Sequence, residues 1–374
     1  MVKLNSSEVR KANKQSILRY ILQTGECTKP QIAMDLRLSS PTVSFIVDEL
    51  LEQGLLETTG MQASSGGRRA AKYQICKDAV HACGIEISRG HVIFVIVNLC
   101  GEIIATERIR KEFSDDREYI QYIAKYRADM AERFGIDPAT VTGVGISLQG
   151  LISPDQTSFK SHMLDDRRVI ATPTLTDEYP CLFLNDGNAS CMSECYSNKA
   201  EKDFVYLMLS RTVGGAIVHD GEIQAGKDGF AGEFGHVCLH PEDDKVCYCG
   251  GKGHAWCYLS SDRLEEFCGS VYWDFFKKLE EGEEGYCEFF DRFLDDLTLL
   301  IYNVRMMYNT DIVLGGYLGT YLKPYLPDID RKLQKMDHLY PETQIKITCG
   351  KHGLEAAGVG AANYFIEKFI SSLV

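Results

Sequence analysis

No stretch of this chain is long and apolar enough to cross a bilayer. Its longest apolar run, HVIFVIVNL at residues 91–99, falls well short of the ~20 residues a spanning helix needs. The opening MVKLNSSEVRKANK lacks the apolar segment of a secretory signal. Low-complexity tracts are missing too, and with them the composition of a disordered or fibrous chain. The 14 cysteines are scattered and lack the dense spacing of a secreted disulfide framework, which leaves a reducing cytoplasm with some metal ligation. What remains is 374 residues, 45% hydrophobic and 25% charged, the profile of an ordinary soluble protein with two or three domains.

The net charge of −13 hides an asymmetry. Residues 1–77 carry eleven Lys/Arg against seven Asp/Glu, whereas the remainder carries 29 against 46. A basic module ahead of an acidic body suits a DNA-binding head on a soluble sensor. The local patterns agree. In 13–23, Ile17, Leu18, Ile21 and Leu22 share one helical face, and Gly25 ends the helix. Thr28 is placed as an N-cap, with Pro30 just inside a short second helix. Ser39 or Ser40 then caps a third helix that turns Val43, Ile46, Val47 and Leu50 inward. This is the spacing of a helix-turn-helix, whose last helix enters the major groove by its N-terminal end. Ser40, Thr42 and Ser44 are therefore the residues expected near bases or phosphates. Strands at 55–59 and 72–75 make the motif winged, with Arg68 and Arg69 at the wing tip and Arg68 directed at an adjacent minor groove. The competing reading is a three-helix bundle for protein contacts, with the Gly-Gly-Arg-Arg loop as a linker.

From Cys83 onward strands alternate with helices: a Val/Ile-rich hairpin, a helix at 117–134, strand 141–148, strand CLFLND and a helix from Ala189. A second hairpin opens at 203, helices fill roughly 261–309, and DIVLGG, ITCG and a helix from Glu355 close the chain. Between them lies GEFGHVCLHPEDDKVCYCGGKGHAWC, residues 232–257. Tetrahedral zinc takes four nitrogen or sulfur ligands, and thiolates one or two residues apart supply them from one tight loop. Gly250, Gly251 and Gly253 let the backbone fold back onto the same ion. His236, Cys247 and Cys249 supply three ligands, and His254 or Cys257 the fourth. Free cysteines in a reduced core are the alternative, but Cys-x-Cys followed by Gly-Gly-x-Gly is a poor core pattern.

Gly232-Glu233-Phe-Gly-His236 followed by Cys-x-Cys-Gly-x-x-Gly resembles the zinc signature of the ROK family (repressors, open reading frames, sugar kinases). The resemblance extends over essentially the whole chain, and Ser-Gly-Gly-Arg ahead of the body resembles the family's repressors. It implies an α/β fold, an actin-like ATPase body of two lobes with a ligand cleft between them. The family's third Cys is His254 here, and its sugar-contacting Glu is Trp256. Asn185-Asp186-Gly-Asn188 matches the family's Asn-Asp-x-Asn, whose Asp is the general base on the sugar hydroxyl. By the same resemblance Glu233 and His236 hold other hydroxyls, Gly150 lets the sugar approach the backbone, and Trp256 stacks on the ring. The phosphate end departs from the family. Asp-x-Gly-Gly-Thr-Lys is replaced by Glu86-Ile-Ser88-Arg89-Gly90-His91, and Gly-Thr-Gly-x-Gly by Ser210-Arg211-Thr212-Val213-Gly214. Side chains now stand where bare amides would meet phosphates, and the Lys is gone.

The sequence reading is thus a winged helix-turn-helix at 1–78, a first lobe at 79–192 and a second lobe with the zinc loop at 193–374. Its expected function is a sugar-responsive cytoplasmic repressor, without kinase catalysis. Its partners are operator DNA and a sugar or sugar-phosphate effector, bound as a homodimer or dimer of dimers, with no membrane. One zinc is held by His236, Cys247, Cys249 and His254. The rivals are an active sugar kinase with an added DNA-binding module, and a scaffold that docks a partner protein.

Overall fold

Capping side chains set the register of the N-terminal helices. In the computed structural model, which describes residues 6–61, 70–164, 169–172, 178–197, 202–336, 338–339 and 344–373, α1 spans Ser6–Thr24. It begins earlier than its apolar stripe does, because polar residues also bind it to the bundle. Lys14 is buried and donates to Glu49 Oε1 at 2.7 Å, and Arg10 donates to Glu49 Oε2 at 2.9 Å. A short β1 (Glu26–Thr28) leads into α2 (Lys29–Asp35). Thr28 accepts from the Gln31 amide while Gln31 reaches back to the Thr28 amide, a reciprocal capping box. Ser39 caps α3 (Ser40–Glu52), which buries Val43, Ile46, Val47 and Leu50. Each such side chain is worth roughly 1.5–3 kcal/mol relative to exposure. Strands β2 (Leu56–Met61) and β3 (Ala71–Ile75) form the wing, and β1 pairs with β3 to make three strands where the sequence suggested two. The extra strand follows from burial of Cys27 and Thr28 beside an extended N-cap. The wing-tip residues Arg68 and Arg69 lie outside the described residues.

The body opens with β4 (His81–Ile87), β5 (His91–Asn98) and β6 (Ile103–Arg110), an antiparallel meander, and continues with α4 (Arg117–Arg133) and β7 (Val141–Leu148). A small three-stranded sheet, β8 (Leu151–Ile152), β9 (Ser158–Lys160) and β10 (Val169–Ala171), precedes β11 (Cys181–Asn185) and α5 (Asp186–Ser197). The second half repeats the plan with β12 (Phe204–Leu209), β13 (Val213–His219) and β14 (Glu222–Ile223). Helices α6 (Trp256–Leu259), α7 (Ser261–Cys268), α8 (Tyr272–Glu280) and α9 (Glu284–Tyr308) follow. The chain ends with β15 (Asp311–Gly315), α10 (Gly316–Gly319), α11 (Leu326–Met336), β16 (Ile347–Cys349) and α12 (Ala356–Ser372).

Two five-stranded sheets result, ordered β11-β7-β4-β5-β6 and β14-β13-β12-β15-β16. They are related versions of one pattern: an antiparallel meander joined by parallel crossover strands, the actin-like arrangement. Among the described residues no helix is long and apolar enough to cross a membrane.

The last helix does not stay with the second sheet. α12 lies on the face of the first sheet and against α5, and its AAGVGAAN start lets backbones touch. A Cβ at Gly84 or Gly145 of the sheet would strike the carbonyls of Gly358 or Ala361, and a Cβ at Gly360 would strike the carbonyl of Ala189. Its far end meets the winged helix. Gln15 donates to the Ser371 carbonyl at 2.8 Å and Arg19 pairs with Glu367. Ile17 and Ile21 of α1, Val95 and Val97 of β5, and Phe365 and Ile370 of α12 belong to one continuous apolar core.

Candidate functional site

The cleft between the lobes has two adjoining chambers that share lining residues. The inner one, about 260 Å³, is lined by Gly150, Asn185, Asp186, Glu233, His236 and Tyr248, among others. Gly150 has to be glycine, since a Cβ there would stand 2.5 Å from the Lys160 carbonyl oxygen. Asn185 ends β11 and caps α5. Its Oδ1 accepts from the Gly187 and Asn188 amides, and its Nδ2 donates to the Gly150 carbonyl at 3.1 Å. The cap thereby fixes Asp186 at the first position of α5, which starts three residues before the expected Ala189. Asp186 Oδ2 accepts from the Thr212 hydroxyl at 3.3 Å, across the cleft. Burial raises the Asp186 carboxyl to about 6, and burial together with the Asp186 charge raises Glu233 to about 7. Two acids at fixed positions, Asp186 and Glu233, supply polar groups for a hydroxyl-rich ligand, while the Asn185 amide holds α5 and the Gly150 segment in place.

The loop beyond Glu233 gathers four side chains of metal-ligating type against this chamber. His236, Cys247, Cys249 and His254 bring one ligand atom each within 4.8 Å of one another. Cys247 Sγ stands 3.9 Å from His236 Nδ1, and Cys249 Sγ stands 3.4 Å from His254 Nδ1. Two thiols and two imidazole nitrogens at such separations fit a tetrahedral zinc. Gly253 makes the turn at φ +66°, where a Cβ would strike the His240 carbonyl. Cys257, the alternative fourth ligand, is buried apart from this group with its thiol toward the Lys245 carbonyl. The other ring nitrogen of His236, Nε2, is 3.0 Å from the Tyr248 hydroxyl. The knuckle thus orients one face of the inner chamber.

The outer chamber, about 840 Å³, is lined by both of the loops that depart from the expected phosphate-binding pattern, through Glu86, Ser88, Arg89 and His91 and through Ser210, Arg211 and Thr212. Its loops are tied by their own contacts. Ser88 turns back on itself, its amide and its hydroxyl both donating to the His91 carbonyl. The Ser210 amide donates to the Thr212 carbonyl at 3.0 Å, and Arg211 pairs with Asp262 at 3.2 Å. Trp256, expected beside the sugar, lines the outer chamber only. Its Nε1 donates to the Arg211 carbonyl at 3.0 Å, and the ring of Tyr248 stands between it and the inner chamber, edge-on at 5.2 Å. Tyr248 and His162 line both chambers, and neither carries a sequence signal: each owes its place to how the loops fold.

On the winged helix, Ser40 is exposed at the start of α3, with Thr42 and Ser44 half-buried along it. Thr42 shares a hydrogen bond with Ser39 at 2.8 Å, and Ser44 lies between Asp48 and Lys29. Phe45 is 57% exposed on the same face with the Arg10 guanidinium 4.9 Å over its ring, a protruding apolar contact that the helical pattern only hinted at.

A two-lobed actin-like body, a Cys/His knuckle beside its cleft and a winged helix-turn-helix mounted on its first lobe define the class. The chain belongs to the ROK family: the ROK family model matches residues 82–368, and a winged helix-turn-helix DNA-binding model matches residues 10–57. The xylose repressor of Caldicellulosiruptor bescii is 27% identical over 67% of this chain and 64% of its own length. The DNA-binding transcriptional dual regulator NagC of Escherichia coli K12 is 26% identical over 67% and 62%. The matches thus span less than two thirds of either relative. Among solved structures, a ROK family transcriptional regulator described as a homologue of the E. coli Mlc protein superposes over 98% of both chains, with a TM-score of 0.77 at 19% identity. A ROK family glucokinase from Streptomyces griseus superposes over 76% of this chain and 98% of its own, with a TM-score of 0.65 at 18% identity.

Proposed function

We propose that the chain is a sugar-responsive transcriptional repressor whose body senses a sugar and does not phosphorylate it. The observation that carries this reading is the single apolar core running from the winged helix through α12 to the first sheet. A DNA-reading head packed on one lobe of a ligand cleft moves with that lobe. A sugar that favours one lobe arrangement over the other therefore changes operator affinity. Gly150, Asn185, Asp186, Glu233 and His236 form the sugar site in this reading, with Trp256 at its outer edge. Ser40, Thr42 and Ser44 of α3 and the wing arginines Arg68 and Arg69 meet the operator. His236, Cys247, Cys249 and His254 hold one zinc, which fixes the Glu233–His236 segment. The protein acts in the cytoplasm as a homodimer on a two-fold operator, because one small winged helix makes too few base contacts for high specificity.

Asp186, the family's base, has its carboxyl raised into a range that suits proton transfer, which keeps the kinase reading as the rival. The engaged amides at Ser88 and Ser210 favour binding without turnover. The test has two arms: binding of the purified chain to DNA from its own upstream region with and without a sugar panel, and a coupled ATP–magnesium assay on the same sugars. Sugar-dependent loss of DNA binding without turnover is the expected result. Turnover that disappears in Asp186→Ala overturns it in favour of the kinase.

A further inference from the structure

We propose that the effector is larger than one sugar ring. It is an oligosaccharide of two or more units that spans both chambers, one ring in the inner chamber and the next against the aromatic wall of the outer. This rests on the sugar reading of the inner chamber and adds the class of ligand. The first support is adjacency, since Gln149, His162, Asp186 and Tyr248 line both chambers, which therefore meet along these side chains. The second is size: about 260 Å³ against about 840 Å³ leaves the larger space unused by a ligand confined to the inner chamber.

The third support is chemistry. Trp256, Tyr272, Trp273 and Tyr317 line the outer chamber; Tyr272 and Tyr317 stack on each other at 4.6 Å, which leaves the exposed ring of Trp273 as the flat apolar face of the kind that the C–H faces of pyranose rings cover. Around them positive charge is not in excess. Three arginines, Arg89, Arg108 and Arg211, are set against four acids, Glu86, Glu112, Asp186 and Glu265, and among the described residues no lysine lines the chamber. A polyphosphate needs excess positive charge and free amides. Here Arg211 is already paired with Asp262, and the Ser88 and Ser210 amides are already bonded. Arginines and carboxylates interleaved with aromatic rings instead offer donors, acceptors and stacking surfaces to a neutral, hydroxyl-rich ligand. Trp273 is 48% exposed at the edge of this wall, a large apolar ring facing solvent until something covers it.

The experiment is calorimetric titration of the full chain with glucose, xylose, cellobiose, xylobiose, maltose and lactose, and with the magnesium complex of AMP-PNP. At least one disaccharide is expected to bind about tenfold or more tighter than its component monosaccharide. Trp273→Ala, a change at a half-exposed helix position, is expected to collapse that ratio to about one. Asn185→Ala is expected to weaken monosaccharide and disaccharide together, since both place a ring in the inner chamber. Equal affinities for monosaccharides and disaccharides overturn the proposal and leave the one-ring sensor standing. So does AMP-PNP binding that Trp273→Ala weakens. If no sugar in the panel binds, the sugar reading itself fails and the proposal falls with it.

Discussion

His236 has two ring nitrogens and a task for each. Nδ1 faces Cys247 in the metal cradle and Nε2 faces the Tyr248 hydroxyl at the wall of the inner chamber. Metal removal is therefore expected to disturb the chamber as well as the loop, because a ligating histidine is oriented by what its second nitrogen touches. Metal analysis of the purified chain should give one zinc per molecule, with loss in Cys249→Ser or His254→Ala and retention in Cys257→Ser. Zinc that survives His254→Ala but not Cys257→Ser would reassign the fourth ligand. A second residue-scale test concerns Glu86. Burial, then the Asp186 charge, raises its carboxyl from 4.5 to about 8 in the folded chain, with Arg108 opposing and Glu355 adding to the shift. The folded state alone keeps this proton between those two values. The stability it confers is complete below about pH 4.5 and lost as pH rises through about 8. Glu86→Gln is permanently neutral, so its melting temperature relative to the parent should climb as pH rises from 5 to 8 and then level off. A pH-independent difference would place Glu86 in water. The grouping of His236, Cys247, Cys249 and His254 was legible in the sequence because all four lie in one loop of the chain. The place of His162 was not, because its neighbour Tyr248 lies far along the chain, and Tyr248 itself occupies the unassigned position between the two cysteines.

At the scale of elements, caps and glycines were the readable signals. Thr28 caps the helix the sequence assigned to it, Ser39 is the one of the two candidate serines that caps the next, and strand 141–148 begins and ends where its apolar run does. The third wing strand escaped notice because three residues carry too little periodicity to distinguish a strand from a linker. The destination of α12 was also hidden. Its glycines and alanines permit close approach but do not say to which surface, and only the facing Gly84, Gly145 and Ala189 settle that. This packing predicts an unusual cost. Gly360→Ala, a helix-favouring change on an open surface, should here lower stability by about 1–3 kcal/mol by forcing α12 off α5. Chemical denaturation checks it, and a neutral or stabilising result would mean that α12 is loosely seated.

For the whole molecule the quantity of interest is the coupling between cleft and DNA head. If the effector weakens operator binding by a factor, the operator must weaken effector binding by the same factor, about 5–150 for a typical coupling. Anisotropy titrations of labelled operator with saturating effector, and calorimetry of effector on the operator complex, measure the two sides separately. No coupling in either titration would leave a sugar-binding body and a DNA-binding head that share a chain without communicating. The fold at this scale was legible because two similar βα halves follow one another in sequence. The relation of head to body was not, since it depends on a helix some 280 residues downstream of the wing.

That helix also sets a length. Its 17 residues make a rod of about 25 Å whose near end borders the outer chamber and whose far end holds α1. If the lobe turns by on the order of 10°, a rod of that length sweeps its far end through about 4 Å. Successive half-sites on one face of DNA lie about 34 Å apart and accept a recognition helix in one register only. That sweep already exceeds the ~3.4 Å step between neighbouring base pairs, and in a symmetric dimer with oppositely moving heads it would double. On the proposed reading, a small rotation at the cleft would thus become a whole-base-pair misfit on the operator, without any part of either head changing shape.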